Sequence, residues 1–380
     1  MDHATELELM DELRDLRASK TPFLDERAVQ VPVEHYTSED RFAAERDKVL
    51  RPHPHALAHA SELDGPGAFL RRELRGFPVL LTRDKSGEVR AFLNVCRHRG
   101  AQLVSEESGC KHRFSCPYHA WTYANSGELI GAPHFDSGFP GQDKGTIALA
   151  QLPAKEAYGI IWVVGEPGGS FDFKAWFAPL AADLEELGMA DMHIAAEESL
   201  DIAANWKILV EGGIEAYHFK VAHRDTIGPY FEDNLSSYQS HGPHMRSILP
   251  RSSMAKLDSE GREDWRIRDH ANILYTLFPT TQMLVQQDHL VLITSEPKSA
   301  GQTQLRLTTL APNSGPMAEG KDAEHWRRNH AITMKTLAED FDLGEGIQAG
   351  LASGANSHLT FGRFEGALDA FNHQVEALLD

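Results

Sequence analysis

Cys96-Arg97-His98 and Cys116-Pro117-Tyr118-His119, twenty residues apart from cysteine to cysteine, decide the reading of this chain. A C-x-H followed by a C-x2-H offers two thiolates and two imidazoles. That is the donor set of a two-iron, two-sulfur cluster with sulfur on one iron and nitrogen on the other. Thiolates suit the iron that stays ferric, while neutral imidazoles reduce the negative charge on the other and raise its potential. A structural zinc site can use the same four side chains, but zinc fingers pair C-x2-4-C with H-x3-5-H, whereas each loop here mixes one cysteine with one histidine. The pattern points to electron transfer.

Working outward, Phe77-Pro-Val-Leu-Leu-Thr82, a turn at Asp84-Lys-Ser-Gly87 and Val89-Arg-Ala-Phe-Leu-Asn94 predict a β-hairpin leading into Cys96. Phe114 leads into the second loop, and Trp121-Thr-Tyr123 leaves it toward a turn at Asn125-Ser-Gly127. Tyr158-Gly-Ile-Ile-Trp-Val-Val164 is a continuous apolar run ended by Gly165-Glu-Pro-Gly-Gly169, a buried strand that closes this domain near 165. Upstream, Leu7, Met10, Leu13 and Leu16 recur among charges as an amphipathic helix over 5–17. Thr37-Ser38-Glu39-Asp40 resembles the cap of a second helix. Downstream, 171–187 reads as helix, 200–206 as strand, and 283–286, 289–293 and 304–308 as further strands. Residues 311–319 read as a loop, and the last sixty residues as mostly helix. Strands followed by helices predict an α+β chain, divided as an N-terminal extension 1–40, a cluster domain 41–165 and a second domain 166–380.

The second domain carries Glu211-Gly-Gly-Ile-Glu215-Ala-Tyr-His218-Phe-Lys-Val-Ala-His223. Oxygen-activating non-haem iron commonly uses two histidines and one carboxylate on one face, and His218 and His223 supply the imidazoles. An i, i+5 pair sits about 140° apart on a straight helix, so both reach one metal only if the helix ends or bulges between them. Val221 beside Ala222 is the expected break. Glu215, three residues before His218, is expected on the same helical face.

The chain of 380 residues has 37 Lys and Arg against 56 Asp and Glu, a net charge of −19. That disfavours nucleic acid or an anionic membrane as partner and favours a small-molecule substrate. No apolar run approaches the ~20 residues of a membrane span, and the N-terminus lacks the basic and apolar regions of a signal peptide, so a cytoplasmic location is expected. The three cysteines, Cys96, Cys110 and Cys116, do not form a disulfide framework. Cys110 has no assigned role. Arg97, Arg99, Lys111 and Arg113 flank the cluster ligands as a candidate docking rim for an acidic redox partner.

Asn94-Val-Cys-Arg-His-Arg-Gly100, Cys116-Pro-Tyr-His-Ala-Trp-Thr-Tyr123, Asn205-Trp-Lys207 and Glu215-Ala-Tyr-His218 together resemble the Rieske non-haem iron oxygenases, the ring-hydroxylating dioxygenase α-subunit family. The resemblance spans roughly Asp40 to the C-terminus. It implies an all-β Rieske iron-sulfur domain plus a helix-grip, START-like catalytic domain with an antiparallel sheet and C-terminal helices. Cys96, His98, Cys116 and His119 would hold the Rieske [2Fe-2S] cluster. His218 and His223 would hold a mononuclear non-haem Fe(II), with Asp340 of Leu337-Ala-Glu-Asp340-Phe-Asp-Leu-Gly-Glu345 as the third ligand, Glu339 and Asp342 competing.

Glu215 stands where most ring-hydroxylating members have Asp, and by resemblance it bridges a neighbouring subunit's cluster histidine to an iron-bound histidine, giving His119 to Glu215 to His218 as electron route. Glu at this position is similar to the carnitine-type and glycine-betaine-type monooxygenases. Glu211 stands where many relatives carry Asn, with an expected effect on polarity near the iron. The implied activity is reductive activation of O2 to hydroxylate or oxidatively demethylate a small organic substrate, aromatic or amine. With no G-x-G-x-x-G fingerprint, electrons must come from a separate NAD(P)H-dependent reductase or ferredoxin. A homotrimer is the implied active unit.

Two alternatives remain open at this point. A quaternary-ammonium monooxygenase would need an aromatic cage, for which Trp265, Tyr275, Phe278 and Phe361 are candidates. A Rieske electron carrier without oxygenase activity would hold the cluster alone. Gln282, Gln286, Gln287 and His289 lie on strands that could line a pocket, on a side the sequence does not fix.

Overall fold

The computed structural model describes residues 1–379 and divides into two compact units, one formed by Arg51–Trp176 and the other by Met1–Leu50 with the chain from Phe177 onward. The unit limits fall beyond the expected 41 and 165, because the helix Glu39–Glu45 packs against the C-terminal helix Gly366–Leu379 and Trp176, in the helix Phe173–Phe177, packs its ring against His53 at 4.9 Å between centroids. Ser38 caps Glu39–Glu45, its hydroxyl accepting from Arg41 N at 3.2 Å.

The Arg51–Trp176 unit is built from short antiparallel strands. The hairpin Phe77–Arg83 and Val89–Leu93 lies at the centre of a five-stranded sheet, flanked by Ala68–Leu74 then Ser108–Cys110 on one side and by Gln151–Leu152 on the other. Ile160–Val163, fully buried, pairs with Ala154–Ala157 and His55–His59 in a second sheet, and Arg113–Ser115, Thr122–Ala124 and Leu129–Gly131 form a third. Phe69, Phe92, Phe114, Trp121 and Tyr123 fill the core that supports both cysteine loops.

The other unit is a seven-stranded antiparallel sheet in spatial order Met192–Ile202, Gln302–Pro312, Leu290–Ser299, Thr281–Val285, Ala271–Leu277, His244–Pro250 and Ser237–His241. The helices Trp206–Ile214 and Ala323–Ala352 pack on it, and the N-terminal helix His3–Ser19, with Leu7, Leu9, Met10 and Leu13 buried, packs against the short helix Ile267–His270. Three expectations change. The strand read over 200–206 ends at Ile202, and Asn205 caps a helix that starts at Trp206, its Oδ1 accepting from Lys207 N at 3.0 Å. The loop read over 311–319 begins two residues later, since the strand Gln302–Pro312 pairs in register with Met192–Ile202 as far as Pro312 opposite Met192. Within the C-terminal helices sits a strand, His358–Phe361, paired with Val29–Pro32, a partner more than three hundred residues away that no local pattern announces.

Behind the motif helix lies a buried polar cluster. Lys207 and Glu45, 1 % and 0 % exposed, are paired at 2.5 Å, and Trp206 Nε1 donates to Glu45 at 2.9 Å. One turn on, Glu211 Oε1 accepts from Tyr36 OH and Asn372 Nδ2, each at 2.8 Å. Glu211 therefore points toward the short helix Glu34–Thr37 and the C-terminal helix Gly366–Leu379, and the expectation that it sets polarity near the iron is corrected. Burial pushes its carboxyl up to about 7, against the lowering effect of Asn372, Tyr36 and Lys207.

Between its ordinary value near 4.5 and about 7 the folded chain then holds a proton that the unfolded chain has released, so stability falls as pH rises through that window. At 1.36 kcal/mol per unit the loss is about 3 kcal/mol by pH 8. Glu211→Gln keeps the accepting oxygen and removes the ionisation. Urea unfolding of variant and parent should diverge from near zero at pH 4.5 to about 3 kcal/mol at pH 8 in the variant's favour; a gap that does not change with pH contradicts the assignment.

Candidate metal centres

The two cysteine loops are built on one backbone plan. Cys96 N donates to Ala101 O and Cys116 N to Trp121 O, both at 2.8 Å, while Gly100 N returns to Cys96 O and Ala120 N to Cys116 O, both at 3.0 Å. The residue that turns each loop, Gly100 or Ala120, has φ of +76° or +56°. Each loop thus presents its cysteine at the start and its histidine two or three residues on. Asn94 pins the first loop from below, donating to Val104 O at 2.7 Å and accepting from Val104 N at 2.9 Å.

Both thiols are buried, 2 % and 4 % exposed, and the His98 and His119 rings stand edge to face, 4.6 Å between centroids, with His98 stacked on Trp121. Tyr123 OH lies 3.4 Å from Cys96 Sγ and accepts from Arg97 N at 3.0 Å. Burial pushes the Cys96 thiol up. His98 Nδ1 is buried with no hydrogen-bond partner among the described residues. Two inner sulfurs, two outer imidazoles and an orphaned ring nitrogen fit a [2Fe-2S] cluster of mixed ligation. Arg97, Arg99, Lys111 and Arg113 are exposed beside them, and Cys110 is exposed at the end of its strand, its Sγ 4.0 Å from Pro66 O.

In the second unit the helix Trp206–Ile214 stops before Glu215, whose backbone is extended at φ −127°, ψ 159°. Gly212 and Gly213 weaken its last turn. The Glu215 carboxylate accepts from the backbone N–H of Tyr217 and of His218 and so starts a new helical turn, Phe219–Ala222, bounded by His218 and His223. This corrects two expectations: Glu215 and His218 do not share a continuous helix, and the chain does not break at Val221, which lies inside the turn. Both histidines reach one point because they are its two ends. Gly228 N donates to His223 O at 2.8 Å, and a side chain at 228 would collide with Phe219 O and His223 O, so the return of the chain requires glycine.

His218 Nε2 lies 3.1 Å from His223 Nε2, and Asp340 Oδ1 lies 3.4 Å from the first and 3.0 Å from the second. Donors on bonds of about 2.1 Å at right angles stand about 3 Å apart, so this triangle fits one face of an octahedral ion. The remaining ring nitrogens are tied to carboxylates: His218 Nδ1 to Glu215, and His223 Nδ1 to Glu339 at 2.7 Å. Such outer partners fix ring orientation and raise ligand basicity. Glu339, considered as a competing ligand, therefore stands behind His223, where Thr226 Oγ1 also donates to it at 2.6 Å, and Asp342 is exposed. Burial opposes charge on His218, but Asp340 and Glu215 outweigh it and push the imidazole up to about 10. Burial opposes charge on Asp340 too, and the two histidines hold it below the usual carboxylate range.

A cavity of about 600 Å³ opens beside this triangle. Gln282, Gln286, Gln287 and His289 all line it, Gln282 from the strand Thr281–Val285 and the other three from the turn 286–289 rather than from strands as expected. Trp265, Tyr275, Phe278 and Phe361 do not; each is packed in the core, and Tyr275 OH donates to Asp183 at 2.9 Å. The rings that do line it are Phe219, Phe231, Tyr230 and Phe341. Arg251 and Asn272 also line it, and nothing in their sequence surroundings marks them.

A family model described as ring hydroxylating alpha subunit (catalytic domain) matches residues 189–380, and one described as Rieske [2Fe-2S] domain matches residues 53–153. The chain belongs to the Rieske ring-hydroxylating oxygenases. This oxygenase is 28 % identical to the carnitine monooxygenase oxygenase subunit of Acinetobacter baumannii over 332 residues, 85 % of each chain. It is 30 % identical to the glycine betaine monooxygenase oxygenase subunit of Pseudomonas aeruginosa over 237 residues, 61 % of this chain and 54 % of that one. Among solved structures, a quaternary ammonium Rieske monooxygenase in complex with L-carnitine superposes with TM-score 0.75 at 25 % identity, covering 92 % of this chain and 96 % of that one. Naphthalene 1,2-dioxygenase from Rhodococcus sp., at 18 % identity, shares the fold with TM-score 0.75 over 98 % of each chain.

The cofactors of this oxygenase are a Rieske [2Fe-2S] cluster and a mononuclear non-haem iron, which together supply electrons to O2. As in its family, substrate and O2 meet electrons from a separate reductase. No helix of the described residues is long and apolar enough to cross a membrane.

Proposed function

We propose that Cys96, His98, Cys116 and His119 hold the Rieske cluster, that His218, His223 and Asp340 hold the mononuclear iron, and that Glu215 conveys the link between the two centres. The observation that carries the reading is the convergence of the three donor atoms of His218, His223 and Asp340 to within 4.8 Å of one another beside a cavity. The work of the chain's own residues is orientation: Glu215 and Glu339 hold the two rings so that each Nε2 faces Asp340, and the apolar wall around them excludes water from the reacting end. The reaction is hydroxylation or oxidative demethylation of a small organic molecule. In this reading the active unit is a homotrimer, with His119 of one subunit feeding Glu215 of the next, the exposed basic rim at Arg97, Arg99, Lys111 and Arg113 docks an acidic electron donor, and the protein works in the cytoplasm.

A quaternary-ammonium substrate is the second reading. It is supported by what the relatives of Acinetobacter and Pseudomonas are named for and by the four rings in the cavity wall, whose faces could meet a cation. Turnover of trimethylammonium compounds against aromatic acids with a surrogate reductase separates the two.

Metal analysis tests the main reading together with the role of Glu215. The chain and its Glu215→Gln variant should each contain about three irons and two sulfides, against about two and two for a plain electron carrier. The variant retains the geometry of the carboxylate but not its charge, and turnover should fall by at least about a hundredfold, the upper range for a partner of a metal ligand. Unchanged turnover removes the bridging role, and two irons in the parent remove the oxygenase centre.

A further inference from the structure

The cavity beside His218, His223 and Asp340 has a second polar end. Thr333 precedes Asp340 by two turns on the helix Ala323–Ala352, about 10 Å along its axis at 1.5 Å per residue. The wall between is apolar, with Leu274 and Leu284 facing each other across paired strands and Leu337 and Phe341 on the helix. Beyond it, Gln286 Nε2 donates to Thr333 Oγ1 at 3.2 Å, and Arg251 donates from Nε and Nη2 to Asn272 Oδ1 at 3.1 and 2.5 Å.

The Arg251 guanidinium is half-buried, and the partner it meets is a neutral amide. Burial pulls its pKa down, and the nearest carboxylates, Asp269 and Asp288, act on it only from a distance. Those carboxylates are already engaged. Asp288 is held by Lys321, by His289 Nδ1 at 2.7 Å and by His325 Nε2 at 3.1 Å, and Asp269 accepts from Gln287 Nε2 at 2.9 Å. Arg268 adds another guanidinium, donating from Nε to Gln286 O at 2.8 Å, with its Nη2 buried and unpartnered. Arg251, Arg268 and Lys321 against Asp269 and Asp288 leave one positive charge in excess. His289, 1 % exposed and part of the cavity wall, has its Nε2 buried with no hydrogen-bond partner.

A withdrawn cation with N–H groups to spare and an orphaned ring nitrogen at one end of a cavity are costly unless something answers them. A planar anion does so, since a guanidinium fork matches a carboxylate in both charge and shape. We propose that the end of the cavity formed by Arg251, Asn272, Gln286 and His289 binds the carboxylate of an organic acid, whose apolar body extends past Leu274 and Leu284 to place its reacting carbon at His218, His223 and Asp340. This assignment of the substrate class rests on the oxygenase reading of that triangle, and Arg251 is its specificity-determining residue.

Calorimetric titration of the holoenzyme under argon, without reductase, tests it through binding alone, with benzoate, 3-phenylpropanoate and hexanoate as probes, each against its primary amide. At least one acid should bind about tenfold or more tightly than its amide, and Arg251→Gln should abolish that margin while changing the amide's affinity less than about twofold. Asn272→Asp gives Arg251 an internal counter-ion at almost no change in shape; it should remove the same margin, and it decides the matter if Arg251→Gln does not fold. Amides that bind as well as every acid overturn the proposal, as does an acid preference that survives the variants. If the acids bind as expected to a chain with only two irons, the anion site stands and the oxygenase reading fails. If three irons are present and a neutral or cationic compound is turned over while no acid outbinds its amide, the oxygenase reading stands and the anion site fails.

Discussion

His218→Ala should reduce turnover by at least roughly a thousandfold, the equivalent of about 4 kcal/mol at 1.36 kcal/mol per tenfold, while the red-brown absorbance of the cluster persists. The expectation follows from geometry confined to one unit. His218 is one corner of a triangle with edges of 3.1, 3.0 and 3.4 Å, and its removal leaves His223 and Asp340 alone to hold an ion. The cluster loops lie in the other unit, on their own sheets and core, so their spectrum has no reason to change. Iron analysis should fall from about three to about two per chain with sulfide constant. Loss of the cluster absorbance together with the third iron would mean that the two sets of side chains do not form separate centres.

Lys207→Met should cost about 3–5 kcal/mol of stability, because it strands Glu45 in a site that is 0 % exposed. Burial pulls the Lys207 pKa down, and the Glu45 carboxylate beside it opposes the shift. Arg41 Nε at 3.1 Å and Trp206 Nε1 at 2.9 Å still contact Glu45 but do not replace the buried charge at 2.5 Å. Adding Glu45→Gln to the variant should restore more than half of the loss, since the cost comes from the buried carboxylate left with Arg41 alone as counter-ion rather than from the missing ammonium. Chemical unfolding of the three proteins measures this, and a single variant within about 1 kcal/mol of the parent would show that water or Arg41 compensates the carboxylate.

The pair also explains why Asn205-Trp-Lys207 was informative in the sequence and yet opaque. Each of its residues anchors the motif helix to a segment remote in the chain: Asn205 Nδ2 donates to Tyr36 O and Ala300 O, Trp206 and Lys207 both contact Glu45. The resemblance marked the tripeptide, but its physical work is in partners up to 170 residues away. Glu211 is the same case in reverse. Standing where many relatives carry Asn, it suggested an effect near the iron, but its carboxylate meets Tyr36 and Asn372 instead.

What the sequence by itself determined was local. The cluster loops are legible because both their ligands and the turns that present them lie within a few residues, and the hairpin from Phe77 to Asn94 announces itself by alternation and a Gly-containing turn. The amphipathic helix His3–Ser19 is legible for the same reason. Only the tertiary structure decided which carboxylate completes the triangle, since Glu339, Asp340 and Asp342 are neighbours in sequence and a helix sends them in different directions. It also decided which strand faces meet the cavity, and that Arg251 ends there without a counter-ion. The physical reason is that a helix or strand fixes the direction of its side chains relative to one another, whereas what those side chains meet is set by long-range packing.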